Sequence, residues 1–187
     1  IVTAFPDGRV VAADATLASG LLQGKSPPPA VDAEHLRVWT DDTRFLIDEL
    51  ERIQAGERKN LLVGKLDLNR LGVFGQSFGG VTAVKTCAVD CRCQAGVSLD
   101  SGLPADYATD PPLTQPFMFM LNEVAGYYMS SVLGLLQNTA YGIAVRGTTH
   151  LDYTDLYLYS PVLKLAQMLG RIDGDRMVRI VNAYTAA

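Results

Sequence analysis

The stretch Gly75-Gln76-Ser77-Phe78-Gly79 constrains this chain more than any other, because of what flanks it. Leu71-Gly72-Val73-Phe74 is a short apolar run of the kind that forms a buried parallel strand. Val81-Thr82-Ala83-Val84-Lys85 follows Gly80 and reads as the start of a helix. Strand, G-x-S-x-G and helix, in that order, make a sharp turn that holds a serine hydroxyl clear of the backbone at the head of the helix. Gly75 and Gly79 stand two residues either side of Ser77, where side chains are expected to collide with the turn or the neighbouring strand. The peptide N–H of Phe78 then points at an anion developing on an attacked carbonyl. The pentapeptide alone is a weak signal, and its flanks are what make it specific.

Around this turn the segments alternate between strand and helix. Residues 1–30 read as irregular, with Phe5-Pro6-Asp7-Gly8 as a turn and Pro27-Pro28-Pro29 as a stiff loop. A helix is expected from Asp32 or Thr40 to Ala55, with Phe45, Leu46, Leu50 and Ile53 on its packed face and Gly56 as its stop. The elbow strand spans 71–76 and the elbow helix 78–89. Further strands are expected at 95–99, 117–121 and 141–145, with a helix near 124–138 and C-terminal helices from about 160. Such a β-α-β series implies an α/β fold: a parallel sheet between two helical layers, in one domain over 1–187.

A serine nucleophile needs a base, and the chain has two histidines, His35 and His150. His150 follows the last expected strand, in Arg146-Gly147-Thr148-Thr149-His150, on the edge where strand C-termini gather ligands. Its place after the nucleophile and the candidate acids suits this architecture. His35 reads as a solvated helix residue. Two carboxylates compete to orient His150. Asp100 ends the strand after the elbow, whereas Glu123 ends the next one, the commoner position for the acid. Asp152 and Asp155 are closer in sequence, but a carboxylate two residues on usually faces away, and Asp155 suits a helix cap.

Composition narrows the rest. A net charge of −4 and a pI near 5.1 give no electrostatic footprint for nucleic acid or for an anionic membrane. No apolar run reaches the roughly 20 residues of a spanning helix; Met118 to Leu136 is broken by Asn122, Glu123 and Gly126. Cys87, Cys91 and Cys93 allow one pair, Cys87 with Cys91 or with Cys93, or three free thiols at a helix end. Three thiols without a fourth ligand argue against a metal site, and nothing in the sequence calls for a cofactor. The compartment is left open.

Several stretches together resemble one family. They are Asp42…Phe45-Leu46-Ile47-Asp48-Glu49-Leu50; Leu66-Asp67…Arg70 through Gly80-Val81-Thr82-Ala83; Ala95-Gly96-Val97-Ser98-Leu99-Asp100; and Gly147-Thr148-Thr149-His150…Tyr153-Thr154-Asp155. In that order, over most of 40–160, they resemble the platelet-activating-factor acetylhydrolase (isoform II-like) group of α/β-hydrolases. In that group the triad acid follows the strand after the elbow, so the resemblance implies Ser77, Asp100 and His150 as a triad, with Glu123 as the alternative acid. Gln76 stands where the family usually has histidine, a departure expected to matter little. The first 30 residues resemble the middle of the family's sequence, so the chain looks like the C-terminal two-thirds of such an enzyme, without the N-terminal strands of the sheet. An upstream loop with the second oxyanion donor is therefore not recognised, and a second chain carrying the earlier strands is one expectation.

The resemblance implies a serine esterase acting on a small ester or lipid, with acetyl or other short acyl groups, including those on phospholipids. Two other readings stay open: a different carboxylesterase of the superfamily, such as a dienelactone-hydrolase-like or polyester-cleaving one, and a non-catalytic scaffold. Tyr127, Tyr128, Met129, Val132, Leu133 and Leu136 read either as an acyl pocket or as a buried crossover helix.

Overall fold

Phe74 lies on one strand of a parallel sheet and Asp100 just past the end of the next, and the register of that sheet is what assembles the site. The computed structural model describes residues 2–4, 10–12, 29–104, 107–134, 136–159, 164 and 167–186. Its contacts divide the chain into two units, Ile1–Val38 and Trp39–Ala187.

In the first unit, β1 (Val2–Ala4) and β2 (Val10–Ala12) pair antiparallel, with Thr3 opposite Val11. Two strands therefore lie inside the segment read as irregular. The β-branched Val2-Thr3 and Val10-Val11 suit strands, but three residues are too few to show an alternating pattern. The turn expected at Phe5-Pro6-Asp7-Gly8 lies outside the described residues, as do Pro27 and Pro28 of the expected loop.

Pro29 opens α1 (Pro29–Gln54), which begins before both starts considered. Proline is well tolerated there, because the first helical N–H has no partner in any case. The helix stops where expected: Gly56 takes φ +79, and its N–H donates to Ile53 O at 3.0 Å. Its packed face is a correction in part: Leu50 and Ile53 are half-buried, as expected, but Phe45 and Leu46 are not on it. Thr40 and Ile47 are buried, with Thr43, Leu50 and Gln54 half-buried beside them, whereas Phe45 and Leu46 are 61% and 58% exposed. Two threonines belong to the packed stripe, so counting apolar residues alone rotates it.

Charge also holds α1 in place. Arg92, after the elbow helix, donates to Asp48 at 2.7 Å, to Glu51 at 2.9 Å and to Asp90 at 2.7 Å, and Arg44 reaches Asp90 at 3.3 Å. Hydrogen bonding to Arg92 holds the Asp90 carboxyl at about 2, below its ordinary 3.8. The unfolded chain thus binds this proton first as pH falls. The stabilisation from Asp90 is present above pH 3.8 and is lost as pH falls toward 2. Thermal unfolding measured across that window should show a shallower loss of stability in Asp90→Asn than in the wild type, and equal slopes would contradict this role.

The second unit is built on β3 (Gly72–Gln76), β4 (Ala95–Leu99), β5 (Phe117–Asn122) and β6 (Ala140–Val145), all parallel, in the order β3-β4-β5-β6. Gln76 pairs with Leu99, Leu99 with Met120, and Asn122 with Val145. The residues that follow β3, β4, β5 and β6 therefore leave the sheet along one edge. Among the described residues β3 pairs with β4 alone, and its Phe74 is 70% exposed.

Both faces of the sheet are covered, giving three layers. On one face α2 (Phe78–Val89) sets Ala83, Val84 and Cys87 against Phe117, Phe119 and Leu121 of β5. On the other, Met118 and Met120 of β5 pack with Met177, Ile180 and Val181 of a helix near the C-terminus, Gly174–Thr185. Alternate residues of β5 thus serve opposite cores, which is why this strand reads as an unbroken apolar run. Cys87 and Cys93 form a disulfide, one of the two pairings considered, and Cys91 is free and exposed.

The segment after β5 is less regular than expected. A 3-10 turn at Ala125–Tyr128 leads into a short α3 (Met129–Leu133) where one long helix was anticipated. Ser130, Ser131 and Gly134 are weak helix formers, and the segment lies close on β6, where a Cβ at Gly126 would meet Ala144 and one at Gly142 would meet Met129. After β6 come a 3-10 turn at His150–Tyr153, α4 (Leu156–Tyr159) and α5, the Gly174–Thr185 helix, whose N-cap Asp173 accepts from Arg176 N–H at 2.9 Å. Residues 160–163, where a further helix was expected to begin, lie outside the described residues. No helix among the described residues is long and apolar enough to cross a membrane.

Candidate active site

Ser77 sits between β3 and α2 with φ 55 and ψ −125, in the left-handed region that a serine rarely adopts. The strain holds its Oγ above the end of the sheet, as the strand-turn-helix pattern predicts. Of the two motif glycines, Gly75 is required sterically, because a Cβ there would run into the backbone of Gly79. Gly79 is not: a Cβ on it would meet nothing within 4 Å, contrary to expectation. The crowded position is Gly80, where a Cβ would press on the hydroxyls of Ser98 and Ser101. The helix thus approaches β4 one residue later than the motif suggests. Phe78 is the first residue of α2, whose opening N–H groups have no partner within the helix. Its ring packs edge-on against Trp39 of α1, with centroids 5.0 Å apart.

His150 follows β6 on a loop that several contacts fix. Gly147 takes φ +75, its N–H donates to Glu123 Oε2 at 2.9 Å, and its carbonyl accepts from Ile172 N–H at 2.9 Å. Asp152 is buried and accepts from the N–H of Thr149 at 2.6 Å, the Thr149 hydroxyl at 2.9 Å and the N–H of Gly170 at 2.8 Å. It faces away from the imidazole, as expected, and ties the loop to the segment before α5. The hydroxyl of buried Tyr153 is held well above its ordinary value by burial, so it adds no charge beside the site.

With the loop set, Ser77 Oγ lies 2.8 Å from His150 Nε2, and His150 Nδ1 lies 2.7 Å from Asp100 Oδ2. The His150 side chain is 47% exposed and that of Asp100 is 2% exposed. Asp100 leaves β4 at φ 52, which turns its side chain toward the imidazole. Its Oδ1 accepts from the peptide N–H of Asn122 at 2.7 Å, and its Oδ2 from the Asn122 side-chain amide at 2.9 Å. Donors on both oxygens fix the orientation of this buried carboxylate. The other candidate acid, Glu123, braces Gly147. His35 lies half-buried on α1.

Three neighbours of Ser77, Asp100 and His150 make contacts that the sequence does not show. Gln76 Nε2 is 3.2 Å from His150 Nε2 and donates to His150 O at 3.3 Å, so the residue expected to matter little touches the imidazole. Asn122 holds Asp100, and Asp152 holds the loop. Both are ordinary polar residues at strand or turn ends, and only the register of β4, β5 and β6 shows what they face. A cavity of about 360 Å³ lies beside the imidazole, lined by Asp100, Ser101, Leu121, Asn122, Val132 and His150 among others. Of the expected acyl-pocket residues, Val132 borders it, while Met129, Leu133 and Leu136 pack against the core beneath α2. The side chains of Tyr127 and Tyr128 lie outside what is described.

The fold has relatives. The chain covers its full length when superposed on a ferulic acid esterase from Streptomyces cinnamoneus, with a TM-score of 0.74, 22% identity and 54% of that chain matched, which places it in the α/β-hydrolase fold. Proteins named platelet-activating factor acetylhydrolase from Cavia porcellus and Bos taurus are 28% identical over 137 residues and 25% identical over 167 residues. These matches take in 67% and 84% of this chain but 30% and 35% of the relatives, so the chain spans about a third of their length. The model of the family described as platelet-activating factor acetylhydrolase, isoform II, matches residues 52–187, a stretch that holds Ser77, Asp100 and His150 together, and the chain belongs to that family.

Proposed function

We propose that this chain carries the catalytic centre of a serine esterase that cleaves short-acyl carboxylic esters, with acetyl and short-chain phospholipid esters as the substrate class. The observation that carries the reading is the unbroken line from Ser77 Oγ through both nitrogens of His150 to Asp100, at 2.8 and 2.7 Å. Ser77 Oγ attacks the ester carbonyl while His150 Nε2 takes its proton, and Asp100 stabilises the resulting imidazolium. The Phe78 N–H donates to the tetrahedral oxyanion. The imidazolium then protonates the departing alcohol, leaving an acyl group on Ser77. Water, deprotonated by His150, attacks that acyl group, and Ser77 recovers its proton as the acid leaves.

The acyl preference is supported by the names of the family and its relatives and by the modest cavity beside the imidazole. A fluorophosphonate probe, together with p-nitrophenyl esters of graded length, tests both halves of the proposal. Ser77 should label, and the acetate should turn over faster than the decanoate. Absence of labelling would leave a non-catalytic scaffold, and a preference for decanoate would remove the short-acyl assignment.

A further inference from the structure

The β4–β5 ladder breaks where Asp100 leaves it. Asp100 N–H still donates to Met120 O at 2.7 Å, as a parallel ladder requires. The next rung would join the N–H of Asn122 to the Asp100 carbonyl. At φ 52 the main chain of Asp100 turns away, and the N–H of Asn122 donates instead to the side-chain Oδ1 at 2.7 Å. The Asn122 side chain adds a second bond, from Nδ2 to Oδ2, at 2.9 Å. One residue therefore grips both oxygens of the carboxylate, and Oδ2 is the oxygen that His150 Nδ1 also uses.

The direction of this amide is fixed from its other end. Asn122 Oδ1 accepts from the N–H groups of Val124 and Ala125, both at 2.9 Å. Two donors can face only the amide oxygen, so the NH₂ must point at Asp100. Asn122 thus does two separable things: it caps the turn after β5, and it donates to the triad carboxylate.

We propose that Asn122 is a positioning residue of the triad, whose side-chain amide sets both the orientation of the Asp100 carboxylate and the charge it presents to His150. The proposal rests on the esterase reading of Ser77, Asp100 and His150. Among the described residues, the ion pair recorded for Asp100 is with His150 alone, so its charge is stabilised by hydrogen bonds. The other titratable groups on the packed segments add no cation. Tyr153 is neutral through burial, Asp152 is engaged by Thr149 and Gly170, and Ser77 and Gln76 on the β3 side are uncharged. The Asn122 amide draws charge from Oδ2. Without it, that oxygen holds the imidazolium more firmly, so His150 becomes harder to deprotonate, and the carboxylate gains freedom to swing away from Nδ1.

Two substitutions separate the roles. Asn122→Asp keeps an oxygen for Val124 and Ala125 but sets a second carboxyl against Oδ2, whereas Asn122→Ala removes both functions. On the full chain, both should lower kcat by about tenfold or more with KM within about twofold, the loss of one hydrogen bond to a charged group. The acid limb of kcat/KM should move to higher pH in each. The chain has two histidines, so the ring resonances of His150 are assigned by His35→Gln and can be titrated without any substrate. Their midpoint should move up with the acid limb. A purely structural Asn122 would make Asn122→Ala less stable and Asn122→Asp silent, with neither midpoint moved. An unmoved His150 midpoint in both variants overturns the proposal whether or not Ser77 labels with fluorophosphonate. Failure of the wild type to label, with the midpoint still moving in both variants, would instead sink the esterase reading and leave the Asn122 contact standing.

Discussion

Ser77→Ala is expected to abolish ester turnover and fluorophosphonate labelling while leaving the fold intact, a loss on the order of 10⁴–10⁶ in kcat. The size follows from the arrangement, since among the described residues nothing else near His150 Nε2 can take the hydroxyl's place: Gln76, 3.2 Å away, offers an amide and no nucleophile. Stability should separate two variants that activity does not. Ser77 pays a conformational cost at φ 55 that alanine shares, because both carry a Cβ. Ser77→Gly removes that cost and should be more stable than Ser77→Ala by about 1 kcal/mol, while equally inactive. Unfolding measured on the three proteins, alongside ester hydrolysis, checks both halves. Residual labelling in Ser77→Ala would show that the reactive hydroxyl lies elsewhere. Equal stability of the alanine and glycine variants would show that the turn is not strained.

The elbow was legible because its signals are local. An apolar run, two glycines around a serine and a helix-forming stretch all fall within a few turns of chain, and α2 spans Phe78–Val89 as read. Strands β4, β5 and β6 were legible for the same reason, and His150 followed from the small number of histidines. What is not legible in the sequence depends on partners distant along the chain. The packed face of α1 is set by Asp90 and Arg92, so Phe45 and Leu46 point outward although they are apolar. Gly79 matched the motif, but the close approach falls at Gly80, because it is Ser98 and Ser101 on the β4 side that the helix meets. Asn122 has no sequence signal at all, since its role exists only once Leu99 is paired with Met120 and Asp100 turns out of the ladder.

Asp100→Asn is expected to lower kcat by about 10⁴, and Glu123→Gln to change it little. The two carboxylates are separated by one strand, and sequence pattern favours Glu123 by position while resemblance favours Asp100. Their surroundings differ in kind. Asp100 is buried, receives His150 Nδ1 at 2.7 Å and has both oxygens engaged by Asn122. An asparagine there keeps one oxygen, and its NH₂ must face either His150 Nδ1–H together with the Asn122 side-chain amide, or the Asn122 peptide N–H, donor against donor in both cases. The imidazole then turns or takes the other tautomer, and Nε2 no longer accepts the Ser77 proton, which is the kind of loss that removing a triad acid produces. Glu123 is exposed and accepts one peptide N–H, that of Gly147 at 2.9 Å, which glutamine can accept with its remaining oxygen. Glu123→Ala removes the brace and should cost more than Glu123→Gln, through looser placement of the loop, yet far less than Asp100→Asn. Steady-state kinetics on the three variants decide the matter: if the larger loss follows Glu123→Gln, the acid of this site is at the end of β5, and the contact between Asp100 and His150 is only structural.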